Sequence, residues 1–94
     1  MEEQAKKIAE LLKILANEHR LLVLCALMKG PLTVGELHTY TPNITLSALS
    51  QHLNQLKHAG ILESERRGMN VVYSIRDQRA AALIGAIKEH YCPG

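Results

Sequence analysis

Two cysteines could together carry reversible covalent chemistry in this chain. Cys25 lies in the apolar run LLVLCALM, where a cysteine often serves only as a small buried hydrophobic residue. Cys92 lies in YCPG near the C-terminal end of the sequence, where burial is harder to maintain. A thiolate attacks an oxidant or sulfane sulfur, and a second thiol captures the activated product. A direct disulfide requires that the two Cα atoms lie within about 7 Å.

A second candidate site is the stretch TLSALSQHLNQLKHAG, from Thr45 to Gly60. At 100° per residue one side of this helix gathers the leucines Leu46, Leu49, Leu53 and Leu56, and the other side carries Ser47, Ala48, Gln51, Asn54, Gln55 and His58. Thr45 can cap the start of this helix and Gly60 can end it. No Asp or Glu occurs at residues 37–62, although nine acids are distributed over the rest. Acids would repel a phosphate backbone, so the sequence predicts a DNA-reading helix.

A predicted β-hairpin after this helix places basic and polar residues at its tip. Arg66, Arg67 and Asn70 lie at or near the tip, and Gly68 permits the turn. Such a wing touches the DNA backbone or the minor groove. On the helix, a Gln or Asn side chain can pair bidentately with adenine, which contributes about 1–3 kcal/mol of discrimination.

These side chains must be positioned by a small set of helices. Ile8, Leu11, Leu12 and Leu15 follow one helical face, Asn17 can cap a second helix, and Thr33 with Glu36 forms a capping-box pattern. The predicted order is four helices over 3–16, 18–29, 33–40 and 45–60, a hairpin over 61–75, and a last helix capped by Asp77. The fold class is therefore mainly α with a small β-hairpin: a winged helix-turn-helix whose terminal helices form the expected dimer interface.

Length and composition limit the remaining possibilities. Residues 1–94 suffice for a single DNA-binding domain, and 47% hydrophobic but only 3% aromatic residues predict an aliphatic core. The net charge of +2 is mild, so the argument for DNA rests on where acids are missing. No apolar run reaches the length of a membrane span, and MEEQAKKIAELLK lacks the apolar segment of a signal peptide. We therefore expect a cytoplasmic protein without a constitutive disulfide.

Four segments, ANEHRLLVLCAL, VGEL, LSALSQHLNQLKHAGIL and RRGMNVVYSI, resemble the ArsR/SmtB family of small homodimeric bacterial repressors with winged helix-turn-helix folds. The resemblance covers nearly the whole chain and implies a DNA role for Ser47, Ser50, Gln51 and His52. It also implies a structural or backbone-contacting role for Arg20. Together with the helical wheel and the wing, it gives as candidate DNA-binding residues Thr45, Ser47, Ala48, Ser50, Gln51, His52, Gln55, Arg66, Arg67 and Asn70.

Many members of this family sense metals, but the metal-binding motifs are absent here. The thiolate site needs a Cys-x-Cys-type motif beside VGEL, where this chain has Leu37, His38 and Thr39. The site between terminal helices needs Asp-x-His and then His-x-x-Glu, whereas this chain has the segments 77–79, DQR, and 89–90, EH. We predict no metal and no cofactor.

A cysteine in LLVLCAL combined with a terminal YCP resembles the BigR/HlyU/SqrR-like branch of the family, which senses persulfides and related reactive sulfur species. The resemblance implies a homodimeric repressor that releases double-stranded operator DNA when a reactive sulfur species or oxidant modifies Cys25 and Cys92. Three alternatives stay open: a metal- or metalloid-responsive repressor, a thiol enzyme with Cys92 as nucleophile, and an interaction module that does not bind DNA. No positioned base or oxyanion motif supports the enzyme.

Overall fold

The computed structural model describes residues 1–91, and the predicted thiol Cys92 lies outside the described residues. The elements in chain order are α1 Glu2–Leu15, α2 Glu18–Leu27, β1 Leu32–Thr33, α3 Val34–Tyr40, α4 Leu46–His58, β2 Leu62–Arg67, β3 Asn70–Ile75 and α5 Gln78–Tyr91. The three strands form one antiparallel sheet with the order β1-β3-β2. Five helices and a small sheet within residues 1–91 confirm the predicted class of a mainly α fold with a small β-hairpin.

Side-chain caps set the starts of α2, α3 and α5. The Asn17 side chain accepts hydrogen bonds from the backbone N–H groups of His19 and Arg20 at 2.9 and 3.1 Å, which begins α2. Thr33 and Glu36 bond reciprocally at 3.2 and 2.9 Å, so the predicted capping box of α3 is formed. Asp77 accepts from the N–H of residue 79 at 2.9 Å at the start of α5. These local signals were readable from sequence because each acts within three residues.

The core is aliphatic and centres on α2. This helix packs against α3, α4, α5 and β3. Its buried residues are Val23, Leu24, Ala26 and Leu27. Leucines of α3 and α4, Ile84 of α5 and Tyr73 of β3 complete the same cluster. Helix α2 is therefore the central helix of the core.

Two details differ from the sequence-based expectations. Strand β1 was not predicted, because two residues cannot display an alternating pattern; it forms only by pairing Leu32 with Tyr73 and Thr33 with Val72 of β3. Leu46 was predicted to face the core, but it is 51% exposed. It occupies the first position of α4, where the helix has not yet reached the packed interior, so helical periodicity alone misplaced it.

Helix α1 packs least of all the helices. Only Leu15 of this helix is buried, and Ile8 and Leu12 are 54% and 47% exposed. Leu11 and Ile14 are partly buried against the core. The predicted apolar face is thus present, and much of it is uncovered by the described part of the chain.

Candidate nucleic-acid interface

Both ends of α4 are fixed by specific hydrogen bonds. The Thr45 hydroxyl accepts from the backbone N–H of Ala48 at 3.1 Å, as predicted for the cap. At the other end Gly60 has a φ of +79°, its N–H donates to the Lys57 carbonyl, and Ile61 donates to the Leu56 carbonyl, both at 3.0 Å. This is the Schellman arrangement, and the buried Leu56 and Ile61 accompany it. The helix is therefore held at a defined length and leads directly into β2.

The outward face of α4 carries only uncharged or basic groups. Three leucines, Leu49, Leu53 and Leu56, are fully buried on the inner face. Ser47, Gln51 and Asn54 are exposed on the outer face, and Thr45 is exposed at the start, while Ala48 and Ser50 are half-buried on its flanks. Asn54 was missing from the sequence-based candidates, although the helical wheel had placed it outward. The exposed amides and hydroxyls at the start of α4 suit contact with base edges.

Two of the predicted DNA-binding residues of α4 bond within the protein. The Arg20 Nε donates to Nδ1 of His52 at 3.1 Å, and its Nη2 donates to Oε1 of Gln55. Its Nη1 donates to the backbone carbonyl of Ile14 at 3.0 Å. We call Arg20, His52, Gln55 and the Ile14 carbonyl the Arg20 clamp. Its geometry fits the structural role that the resemblance implied for Arg20.

The surroundings of His52 favour its neutral form. Partial burial lowers the pKa of His52 below 6.5, and the positive charge of Arg20 and the neighbouring His19 lower it further. The ring centroids of His19 and His52 lie 6.0 Å apart, and Oε1 of Glu18 lies 3.5 Å from Nε2 of His19. A neutral imidazole can accept the Arg20 hydrogen bond, whereas an imidazolium cannot.

We expect protonation of His52 to destabilise the fold. Because its pKa is lower in the folded than in the unfolded chain, its contribution to stability is present above pH 6.5 and is lost as pH falls through the lowered value. Urea unfolding of the wild type and of His52→Asn between pH 7.5 and 5 tests this. The wild type should lose more stability than His52→Asn, whose amide oxygen accepts at both pH values. His58→Gln is the control and should lose as much stability over this pH range as the wild type. Equal losses in the wild type and His52→Asn would contradict the expectation, and so would a His58→Gln protein whose loss differs from that of the wild type by more than the loss of His52→Asn does.

The wing is a two-stranded hairpin with a basic tip. Arg66 pairs with Val71 and Arg67 with Asn70 across β2 and β3, which leaves a loop of two residues. The first of these, Gly68, has a φ of +62°, a conformation that glycine adopts without strain. The side chains of Arg66, Arg67 and Asn70 are all exposed, and Arg67 bonds to Glu65 at 3.1 Å. The structure thus brings the predicted wing residues to one hairpin end.

Cys25 belongs neither to α4 nor to the wing. It is partly buried on α2, a helix that packs against α5 as well as against α3 and α4. Met28, which directly follows the last residue of α2, approaches α5 closely: its Cε would lie 3.4 Å from a Cβ atom at Gly85. Helix α5 ends at Tyr91, the residue directly before Cys92. Cys92 itself lies outside the described residues.

Neither a metal cluster nor a membrane-spanning helix occurs within residues 1–91. No three His, Cys, Asp or Glu side chains of this part of the chain lie together in a way that could hold a metal ion. No helix in the same residues is both long enough and apolar enough to cross a membrane.

Comparison with known proteins decides the family. Residues 17–64, which hold α2, α3 and α4, match the model of the arsR family of bacterial regulatory proteins. The regulator YgaV of Escherichia coli is 37% identical over 94 residues, covering 99% of this chain and 94% of YgaV. The chain belongs to the ArsR family. It is accordingly a transcriptional regulator, and the relatives found are regulators and not enzymes.

Other ArsR relatives agree over the whole fold. The biofilm growth-associated repressor of Agrobacterium fabrum is 38% identical, over 98% of this chain and 78% of the repressor. The structure of reduced HlyU from Vibrio cholerae superposes with a TM-score of 0.91 at 37% identity, covering 98% of this chain and 96% of HlyU. The structure of the repressor BigR from Xylella fastidiosa gives 0.89 at 35% identity, covering 100% and 95% of the two chains. The winged helix-turn-helix fold is thereby confirmed.

Proposed function

We propose that this ArsR-family regulator is a cytoplasmic homodimeric repressor that binds a near-palindromic operator and releases it when Cys25 and Cys92 are modified by a reactive sulfur species or oxidant. The observation that carries the DNA-binding half is the capped helix α4, whose outward face is polar and free of acids. The exposed Arg66 and Arg67 of the wing extend the same chemistry to the phosphate backbone. A single domain over residues 1–94 would contain both the DNA-binding elements, α4 and the wing, and the two cysteines.

The homodimer is supported by the uncovered apolar residues of α1. Ile8 and Leu12 are about half exposed on a helix that contributes only Leu15 to the buried core. A relative from Mycobacterium bovis, Mb0332, is described as a homodimeric winged helix-turn-helix domain. Pairing two chains through their terminal helices would bury this surface and set two copies of α4 about 34 Å apart, one turn of DNA. Sedimentation should give twice the mass of one chain.

The thiol half of the proposal is supported by the position of Cys25. It lies on α2, which packs both against α4 and against α5, the helix that ends directly before Cys92. A bridge between the two cysteines would tie α5 to α2 and could alter the spacing of the α4 helices in a dimer. The V. cholerae relative HlyU has been solved in its reduced form. HlyU is named an activator and BigR a repressor. The assignment of this chain as a repressor, and not as an activator, is therefore part of the proposal.

A selected DNA duplex tests operator binding first. Duplexes chosen by this protein from a random pool should bind the reduced protein, with a logarithm of affinity that falls linearly against the logarithm of salt concentration. Salt-independent binding, or no enrichment of any duplex, would refute DNA reading and favour an interaction module.

Cysteine variants then test the switch. Reduced Cys25→Ser and Cys92→Ser should each bind the selected duplex as the wild type does, because neither thiol lies on α4 or the wing. After polysulfide treatment the wild type should release DNA and both variants should stay bound, since a bridge requires two sulfurs. Release by both variants would refute the dithiol mechanism. Stoichiometric zinc in the mass spectrum would favour a metal-responsive repressor, and multiple turnover of a persulfide donor would favour a thiol enzyme.

A further inference from the structure

The Arg20 clamp joins three parts of the fold through a single side chain. Its guanidinium donates to the Ile14 carbonyl in the last turn of α1, and to His52 and Gln55 on α4, while Arg20 itself belongs to the first turn of α2. The two α4 acceptors are thirty-two and thirty-five residues away along the sequence. On its inner face α4 is otherwise held by leucines, whose packing is not directional.

We propose that Arg20 is the positioning residue of α4 in operator recognition, and that His52 and Gln55 serve this clamp and do not read bases. The proposal rests on the proposed function as a DNA-binding regulator. A guanidinium presents its donors in a rigid planar fork, so three simultaneous acceptors fix both the rotation of α4 about its axis and its distance from α1. Base reading then belongs to the exposed residues near the start of α4, above all Ser47 and Gln51.

The substitution Arg20→Lys separates the effect of the positive charge of Arg20 from the effect of its hydrogen-bond geometry. Arg20→Lys keeps one positive charge but cannot reach three acceptors at once. We expect selected-duplex affinity to fall about tenfold, the loss of roughly one charge-assisted hydrogen bond, with non-specific affinity and the salt slope unchanged. Without DNA, amide hydrogen exchange in α4 should rise several-fold. Arg76→Lys, an exposed arginine outside the interface, is the matched control and should change neither quantity.

A phosphate contact by Arg20 would give a different result. In that case a substitution that removes the contact would weaken binding to all sequences alike and reduce the salt slope by about 0.9, with α4 exchange unchanged in the absence of DNA. Because lysine could retain such a contact, Arg20→Gln is measured beside Arg20→Lys. A reduced slope in Arg20→Gln together with unchanged α4 exchange in both variants would overturn the proposal.

A double-variant cycle tests whether Gln55 acts through Arg20. Gln55→Met keeps the length of the side chain but removes the acceptor. If both residues form one clamp, Arg20→Lys with Gln55→Met should bind the selected duplex no more than about twofold worse than Arg20→Lys alone, because coupled effects are not additive. The proposal would be overturned if the double variant lost affinity by the product of the two single-variant losses. It would also be overturned if Gln55→Met lost discrimination at a single base pair. The exchange measurement needs no DNA, so it can fail or succeed independently of operator binding by the wild type.

Discussion

Replacing Gln51 by alanine should weaken binding to the selected duplex by roughly 5- to 150-fold, which corresponds to about 1–3 kcal/mol for one base contact. Gln51 is exposed near the start of α4, and no hydrogen bond holds its side chain among the bonds of the described residues. Its amide is therefore available to an adenine edge. The loss should concentrate at one base pair of the duplex, because a base contact, unlike a phosphate contact, carries sequence information.

Gln78→Ala provides the control for this measurement. Gln78 is also exposed, but it lies at the start of α5. Its substitution should leave affinity within twofold, since it removes an amide of the same size outside α4 and the wing. Fluorescence anisotropy with the selected duplex and with single-base-pair variants of it would measure both effects. A uniform loss across all duplexes would show that Gln51 does not read a base.

Replacing Leu53 by alanine should lower the free energy of unfolding by about 2–5 kcal/mol. Leu53 lies in the middle of α4, is fully buried and belongs to the central core cluster. Truncation removes apolar burial and leaves a cavity that the surrounding leucines fill only in part. Urea unfolding followed by circular dichroism measures the change, at one fixed protein concentration because dimerisation would add to stability.

Leu46→Ala is the matched control on the same helix. Because Leu46 is 51% exposed, its truncation should change the free energy of unfolding by less than about 1 kcal/mol. The comparison also tests the correction that the structure made to the helical wheel. Equal destabilisation by both substitutions would mean that Leu46 is buried in the protein in solution, for example against a second chain.

The sequence by itself determined the features that depend on neighbouring residues. Asn17, Thr33 and Thr45 cap helices because their oxygens reach N–H groups two or three residues away. The left-handed Gly60 and Gly68 marked the end of α4 and the tip of the wing for the same local reason. Helical periodicity placed Leu49, Leu53 and Leu56 on the buried face, and the absence of acids over residues 37–62 marked this helix as the candidate DNA-reading element.

Only the tertiary structure decided which polar residues of α4 form hydrogen bonds to other elements of the fold. His52 and Gln55 carry the same chemical groups as base-reading residues, and their partner Arg20 is more than thirty residues away, so no local pattern could reveal it. The short strand β1 and the exposure of Leu46 likewise depend on what packs beside them. Local hydrogen bonds and periodicity are written in adjacent residues, whereas the clamp exists only because the chain folds α2 against α4.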